Sequence, residues 1–296
     1  MNVAPILFAF LSAILMGTIG VFSKITGLPA EVITFFRLLI GAGFMLIYLV
    51  ALRKTDLLNR WPSWPVLVNG CLLAGFVVFY VQAMNYTSMA NAIMLVYLAP
   101  LAASVIAHFF LDERLNFLGF GLIMLALFGF AMMMEFRLEM SRQSSEFIGI
   151  CLGLLALICY AGFILLNRVI PKQIHVYTRS FYQLLIGALV MLPLVLHSIQ
   201  SVSMEHIPWL IATGFFSGFL AISFAVIALS LLPAATFGTI AYIEPVAVVV
   251  FGWTLFSETL SLLQIGGCLL IIVSGIVKTL TTQQGQRVAP LDPVES

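Results

Sequence analysis

Ten apolar runs, each close to the ~20 residues that an α-helix needs to cross a bilayer, fill almost the whole chain. They fall at about 4–23, 31–52, 65–86, 89–111 and 116–134, and, after a polar stretch over 135–146, at about 147–169, 177–198, 206–230, 234–257 and 261–281. In hydrocarbon the backbone must bond to itself, and runs of this length do so as helices rather than as the shorter alternating strands of a barrel. Composition agrees. The 296 residues hold only 13 Lys+Arg and 12 Asp+Glu, and 62% are apolar. A soluble domain carries about a quarter charged residues, so a soluble enzyme and a disordered regulator are excluded. A net charge of +1 offers no cationic face, which excludes a nucleic-acid partner. The expected fold class is an all-α integral membrane protein of ten transmembrane helices embedded in a lipid bilayer.

Basic residues orient such a chain. Nine of the 13 fall on the side of the amino terminus (Arg53, Lys54, Arg60, Arg114, Arg168, Lys172, Arg179, Lys278, Arg287) and three opposite (Lys24, Arg137, Arg142), while Arg37 lies inside a run. Both termini are therefore expected in the cytoplasm. Trp61 and Trp64 fall at the inner interface, and Trp209 and Trp253 near the outer one. The first run lacks a preceding basic residue and a small-residue cleavage site, so it reads as a retained helix. Cys71, Cys151, Cys159 and Cys268 are scattered singly inside runs, without metal or redox spacing, and read as packing residues.

The chain repeats itself. Residues 97–134 open Tyr97-Leu98-Ala99-Pro100 and pass through Asp112-Glu113-Arg114-Leu115-Asn116; residues 242–278 open Tyr242-Ile243-Glu244-Pro245 and pass through Ser257-Glu258-Thr259-Leu260-Ser261. Tyr, Pro, Glu and Leu recur at an offset of 145, and Leu38-Leu39-Ile40-Gly41-Ala42 returns as Leu184-Leu185-Ile186-Gly187-Ala188 with the offset slipped by one. The expected organisation is a first five-helix repeat over 1–134, an extracytoplasmic connection over 135–146, a second repeat over 147–281 and a disordered cytoplasmic tail over 282–296. Five is odd, so the second repeat crosses the membrane in the opposite sense. Inverted repeats suit alternating access, which points to a transporter.

Pro100 and Pro245 sit well inside the fourth and ninth runs and are expected to kink them, freeing the carbonyls of Val96 and Ala241. Beside them Tyr97 and Tyr242, with Tyr160 as a third aromatic wall, suggest a polar-lined central cavity. Arg37 lies about 9 Å into the second run and Glu244 about 15 Å into the ninth, near the bilayer midplane. Intramembrane charges usually face a bundle interior and a partner. Their symmetry copies, Gln183 and Ala99, are neutral. Either Arg37 and Glu244 pair, locking the second and ninth helices, or Glu244 exchanges a proton or contacts a cationic group during transport.

Gln82 is placed facing the cavity, whereas Asn85 and Asn91 are assigned to the turn between the third and fourth runs. His108 with Asp112-Glu113 invites a metal reading, but recurrence of the carboxylate at the repeat offset favours a helix joint that Asn116 and Ser261 cap. No metal is therefore expected. Gly149/Gly153 and Gly214/Gly218 have the spacing of close helix contacts.

Phe36-Arg37, the stretch from Tyr86-Thr87-Ser88 to Pro100, Asp112-Glu113-Arg114-Leu115, Tyr242-Ile243-Glu244-Pro245-Val246 and Ser257-Glu258-Thr259-Leu260 together resemble the EamA-type branch of the drug/metabolite transporter superfamily. The resemblance implies ten helices, a cavity between the halves, secondary transport of a small metabolite with export of an amino acid or related amphipathic compound leading, and a bacterial inner membrane. It also implies that the fifth and tenth helices support the cavity without lining it. Leu15-Met16-Gly17-Thr18 departs from the family, whose members often carry tryptophan before that glycine. No cofactor is expected, and a homodimer is left open. The alternatives are a flippase for a lipid or lipid-linked sugar and, further off, an intramembrane enzyme. Phe215-Phe216-Ser217-Gly218 lacks the glycine that an intramembrane serine protease places two before its serine. No run holds an aspartate pair for magnesium, and no phosphate-binding loop is present.

Overall fold

The structure is a computed structural model that describes residues 4–58, 63–87, 89–111, 113, 115–136, 144–171, 173–196 and 198–288. Arg60, Trp61, Ser88, Asp112, Arg114, Arg137, Arg142, Lys172 and the tail beyond Val288 lie outside the described residues.

The chain is helical wherever it has regular structure among the described residues. In the first half the helices are α1 (Ala4–Thr26), α2 (Ala30–Ala51), α3 (Trp64–Ala83), α4 (Met89–Tyr97), α5 (Ala99–Phe110) and α6 (Phe117–Met133). The second half has α7 (Ser144–Val169), α8 (Val176–Val195), α9 (Ile207–Thr213), a π-helical turn over Gly214–Leu220, α10 (Ala221–Leu231), α11 (Ala234–Ala241), α12 (Ile243–Phe256) and α13 (Leu262–Val288). Grouped by span, nine among the described residues are long and apolar enough to cross a membrane, and α6 is a shorter apolar tenth. The protein is a multi-pass membrane protein of two inverted five-helix repeats. The face where α1 begins is called here the Ala4 face, and the opposite one, at the turn between α1 and α2, the Gly27 face. The stretch expected as tail from 282 begins as helix, since α13 continues to Val288.

The two prolines do more than bend their helices. The fourth span stops at Tyr97 and restarts at Ala99; the ninth stops at Ala241 and restarts at Ile243. Each proline thus falls in the first turn of a new helix, where a missing N–H costs nothing. The Tyr242 hydroxyl donates to the Tyr97 carbonyl at 2.6 Å, tying one break to the other.

Contacts between the repeats come in symmetric pairs. α3 packs on α7 and α8, and α10 with its preceding π turn packs on α1 and α2; α2 faces α8, and α6 faces α13. Each half therefore completes the other's core around a two-fold axis in the membrane plane. The π turn was not legible as such in the sequence. It brings Gly218 against the backbone carbonyl of Arg37, an approach that a Cβ would block. The other small residues of that pattern also pack closely, Gly149 on Thr87, Gly153 on Leu95 and Gly214 on Ile40.

Candidate functional site

Between the repeats lies a cavity of about 320 Å³, of the size of small-molecule sites. It runs from the core to the Gly27 face, where Ser23 and Ala30 line it. Among the described residues, none of its lining comes from α6 or α13, as the family resemblance implied. Toward the Ala4 face it is closed. There α5 packs on α11, and Gly238 sits so near Pro100 that an added Cβ would come within 2.9 Å of the proline ring. At the Gly27 face, among the described residues, α4 and α12 are not packed together in the same way.

Both intramembrane charges face this cavity. Arg37 is carried by α2, held by the close contact with the π turn, and is only 4% exposed. Its Nη1 reaches the Met16 sulfur at 3.8 Å, and its Nε has no hydrogen-bond partner among the described residues. Glu244 lies in the first turn of α12, where the helix N-terminus favours a negative charge. No ion pair within 4.0 Å links it to Arg37. The two side chains line the same cavity without touching. The locking salt bridge that the sequence left open is therefore not formed in this state, and the resulting site presents a cation and an anion to one space.

The remaining expectations divide. Tyr97 and Tyr160 line the cavity, with Tyr160 stacked on Phe76 at 5.1 Å between ring centres. Tyr242 does not line it; its ring is buried against Tyr97 and Phe130's cluster, and its hydroxyl is spent on the Tyr97 carbonyl. Gln183 is fully buried between α8 and α7, where its amide donates to the Asn167 Oδ1 at 3.0 Å. Gln82 lines a separate pocket of about 140 Å³ with Glu31 and Asn85, and accepts from the Asn85 amide at 3.3 Å. Asn91 bonds to Thr87 at 3.1 Å, within the turn as expected, and also to Glu146 at 3.4 Å. His108 takes the Leu115 N–H at 3.2 Å, within the joint, and Asp112 lies outside the described residues. Sequence reasoning missed Tyr80, Thr34 and Ser12, which also line the cavity. A polar residue in each span was visible, but its rotational phase was not.

A second hollow of about 590 Å³ opens laterally between α1, α12 and α13. Its walls are apolar side chains such as Phe10, Ile14, Ile243 and Ile276, with Thr279 at one end. Gly17, packed against Ala247 and the Glu244 carbonyl, separates it from the central cavity.

Ten spans in two inverted repeats around a charged central cavity define a membrane transporter. The chain belongs to the EamA-like transporter family, whose model matches residues 3–135 and again 147–279. It is 29% identical over 255 residues to the pseudopaline exporter CntI of Pseudomonas aeruginosa, covering 86% of this chain and 87% of that one. With the threonine/homoserine exporter RhtA of Escherichia coli it shares 26% identity over 268 residues, again 86% and 87%. With the uncharacterized transporter YxxF of Bacillus subtilis it shares 25% over 280 residues, 93% of this chain and 89% of that one. A crystal structure at 20% identity superposes with a TM-score of 0.82 over 94% of this chain and 98% of the other, which shows the same fold.

Proposed function

We propose that this protein is a secondary carrier that exports a small zwitterionic, amphipathic metabolite, an amino acid or a close relative, by alternating access through the central cavity. The observation that carries the reading is the pair of opposite charges, Arg37 and Glu244, which face one cavity without bonding to each other. A substrate carboxylate matches the planar donor fork of Arg37, and its ammonium matches Glu244. Phe76, Tyr97 and Tyr160 supply the apolar wall for the rest of the molecule. Export follows the names of the two exporters above, and the preponderance of basic residues on the Ala4 face supports cytoplasmic termini in a bacterial inner membrane. With that orientation the cavity opens to the outside. The lateral hollow is apolar and walled off, so it offers no path for a lipid headgroup, which favours a metabolite carrier over a flippase.

The test is counterflow in proteoliposomes with a panel of labelled metabolites. Neutral amino acids inside the vesicle are expected to accelerate uptake of their labelled counterparts. Failure of every amino acid in the panel would remove this substrate class.

A further inference from the structure

The joints that end α5 and α12 are copies in geometry as well as in sequence. The Glu113 N–H donates to the Ala107 carbonyl at 3.3 Å, and the Glu258 N–H to the Gly252 carbonyl at 3.2 Å, with both residues of each bond shifted by the repeat offset. Asn116 caps the Gly119 N–H and Ser261 the Gln264 N–H, again equivalent positions. Each repeat thus delivers one carboxylate to the same place, and inversion puts the two on opposite faces. Each carboxylate meets a basic residue at the end of the first helix of the other repeat, Glu113 with Arg168 of α7 and Glu258 with Lys24 of α1. From the sequence the two carboxylates are expected only as parts of helix joints. Instead they form two ion pairs related by the symmetry of the fold.

The pairs are unequal. Glu113 Oε1 accepts from Nε and Nη2 of Arg168, each at 2.6 Å, while its Oε2 accepts the Ala234 N–H at 2.7 Å. Arg168 Nη1 donates to the Leu229 carbonyl at 3.3 Å. Both backbone partners are groups that helix ends leave open. Ala234 begins α11, so its N–H has no partner within the helix. Leu229 looks four residues ahead to Pro233, which has no N–H. One guanidinium–carboxylate pair, 21% and 15% exposed, therefore ties the α5 joint to α7, α10 and α11 across the closed Ala4 face. At the Gly27 face Lys24 contacts Glu258 and lies 4.4 Å from the centre of the Phe256 ring. Those side chains are 48% and 50% exposed, and the pair joins α1 to the end of α12 alone.

We infer that Glu113–Arg168 and Lys24–Glu258 are the two alternating gates of the transport cycle. The first holds the Ala4 face shut in the state described. When the Gly27 face shuts, Glu258 takes up the equivalent bond from the start of α4, and Lys24 the equivalent bond to the end of α3. The forked, multiply bonded arginine gate is the stronger, and the exposed lysine gate is weakened by water and salt. The empty carrier consequently rests open to the Gly27 face. This assignment rests on the alternating-access reading and deepens it.

The experiment places one reporter, Ala103→Cys, behind the closed gate, where Ala103 is fully buried. The four native cysteines are replaced by alanine, and a membrane-impermeant maleimide is applied to protein in nanodiscs. Losing a charge-assisted hydrogen bond shifts a two-state equilibrium about tenfold or more, so Glu113→Gln is expected to raise the labelling rate by that factor. Arg168→Lys, which keeps the charge but loses the fork, is expected to fall between, and it decides the matter if Glu113→Gln aggregates. Glu258→Gln, which weakens only the shut form of the Gly27 face, is expected to lower labelling of Ala103→Cys. Unchanged labelling in both Ala4-face variants, or an equal rise in Glu258→Gln, would overturn the assignment. The labelling contrast without any metabolite counterflow by the unmodified carrier would uphold the gates and remove the substrate reading alone.

Discussion

A single charge near the middle of a bilayer costs about 2.5–3.5 kcal/mol on insertion scales, and Glu244 bears that cost with no ion pair to Arg37. The N-terminus of α12 offsets about 0.3–1 kcal/mol of it. Removing the charge should therefore leave the fold intact. Glu244→Gln is expected to elute as a monodisperse, membrane-extracted protein, to lose amino-acid counterflow about tenfold or more, and to show no residual pH dependence of transport. Counterflow and a pH profile equal to those of the unmodified protein would show that the carboxylate plays no part in recognition or coupling. At this scale the sequence was informative where a side chain is costly in lipid. Arg37 and Glu244 stand out for that reason. Tyr97 and Tyr242 were indistinguishable because they are symmetry copies. Only the asymmetric state of the molecule separates them, with Tyr97 at the open cavity and Tyr242 packed on the closed side.

Elements in this protein end where proline and capping chemistry dictate. The breaks at Leu98 and Tyr242 follow from Pro100 and Pro245, and the starts of α6 and α13 from Asn116 and Ser261. What the elements do next depends on how near they come. Gly238 lets α11 rest on Pro100, and Gly238→Val is expected to force that contact apart at a cost of about 1–3 kcal/mol. Gly43 in α2 has open space around it, so Gly43→Ala is expected to be neutral or to stabilise by up to about 1 kcal/mol. Thermal unfolding in detergent distinguishes the two; equal shifts would mean that the α5–α11 contact is not tight. The π turn beside Arg37 escaped the sequence because Gly214–Leu220 differs from an ordinary apolar helix only in a hydrogen-bond register set by packing against α2.

For the whole molecule the parity of the spans governs the architecture. Two five-span repeats must be inverted, and their interfaces recur in symmetric pairs. Orientation in the membrane rests on the nine-to-three distribution of basic residues. A reporter fused at the carboxyl end is expected to be active only as a cytoplasmic type (fluorescent protein) and silent as a periplasmic type (alkaline phosphatase). The reverse pattern would invert the assignment and would make the cavity open inward.

The medium, the number of spans, the repeat and the family are legible in the chain alone, because each depends on the length and order of apolar runs, which are local and countable. It also marked the two side chains that lipid makes expensive. Packing sets which way each helix turns, which symmetry copies line the open cavity and which are buried, and that Glu113 and Glu258 end in unequal ion pairs. Those outcomes depend on the rotation and closure of one repeat against the other. Two halves built on one repeat are compatible with either face being shut, so only their packing selects one.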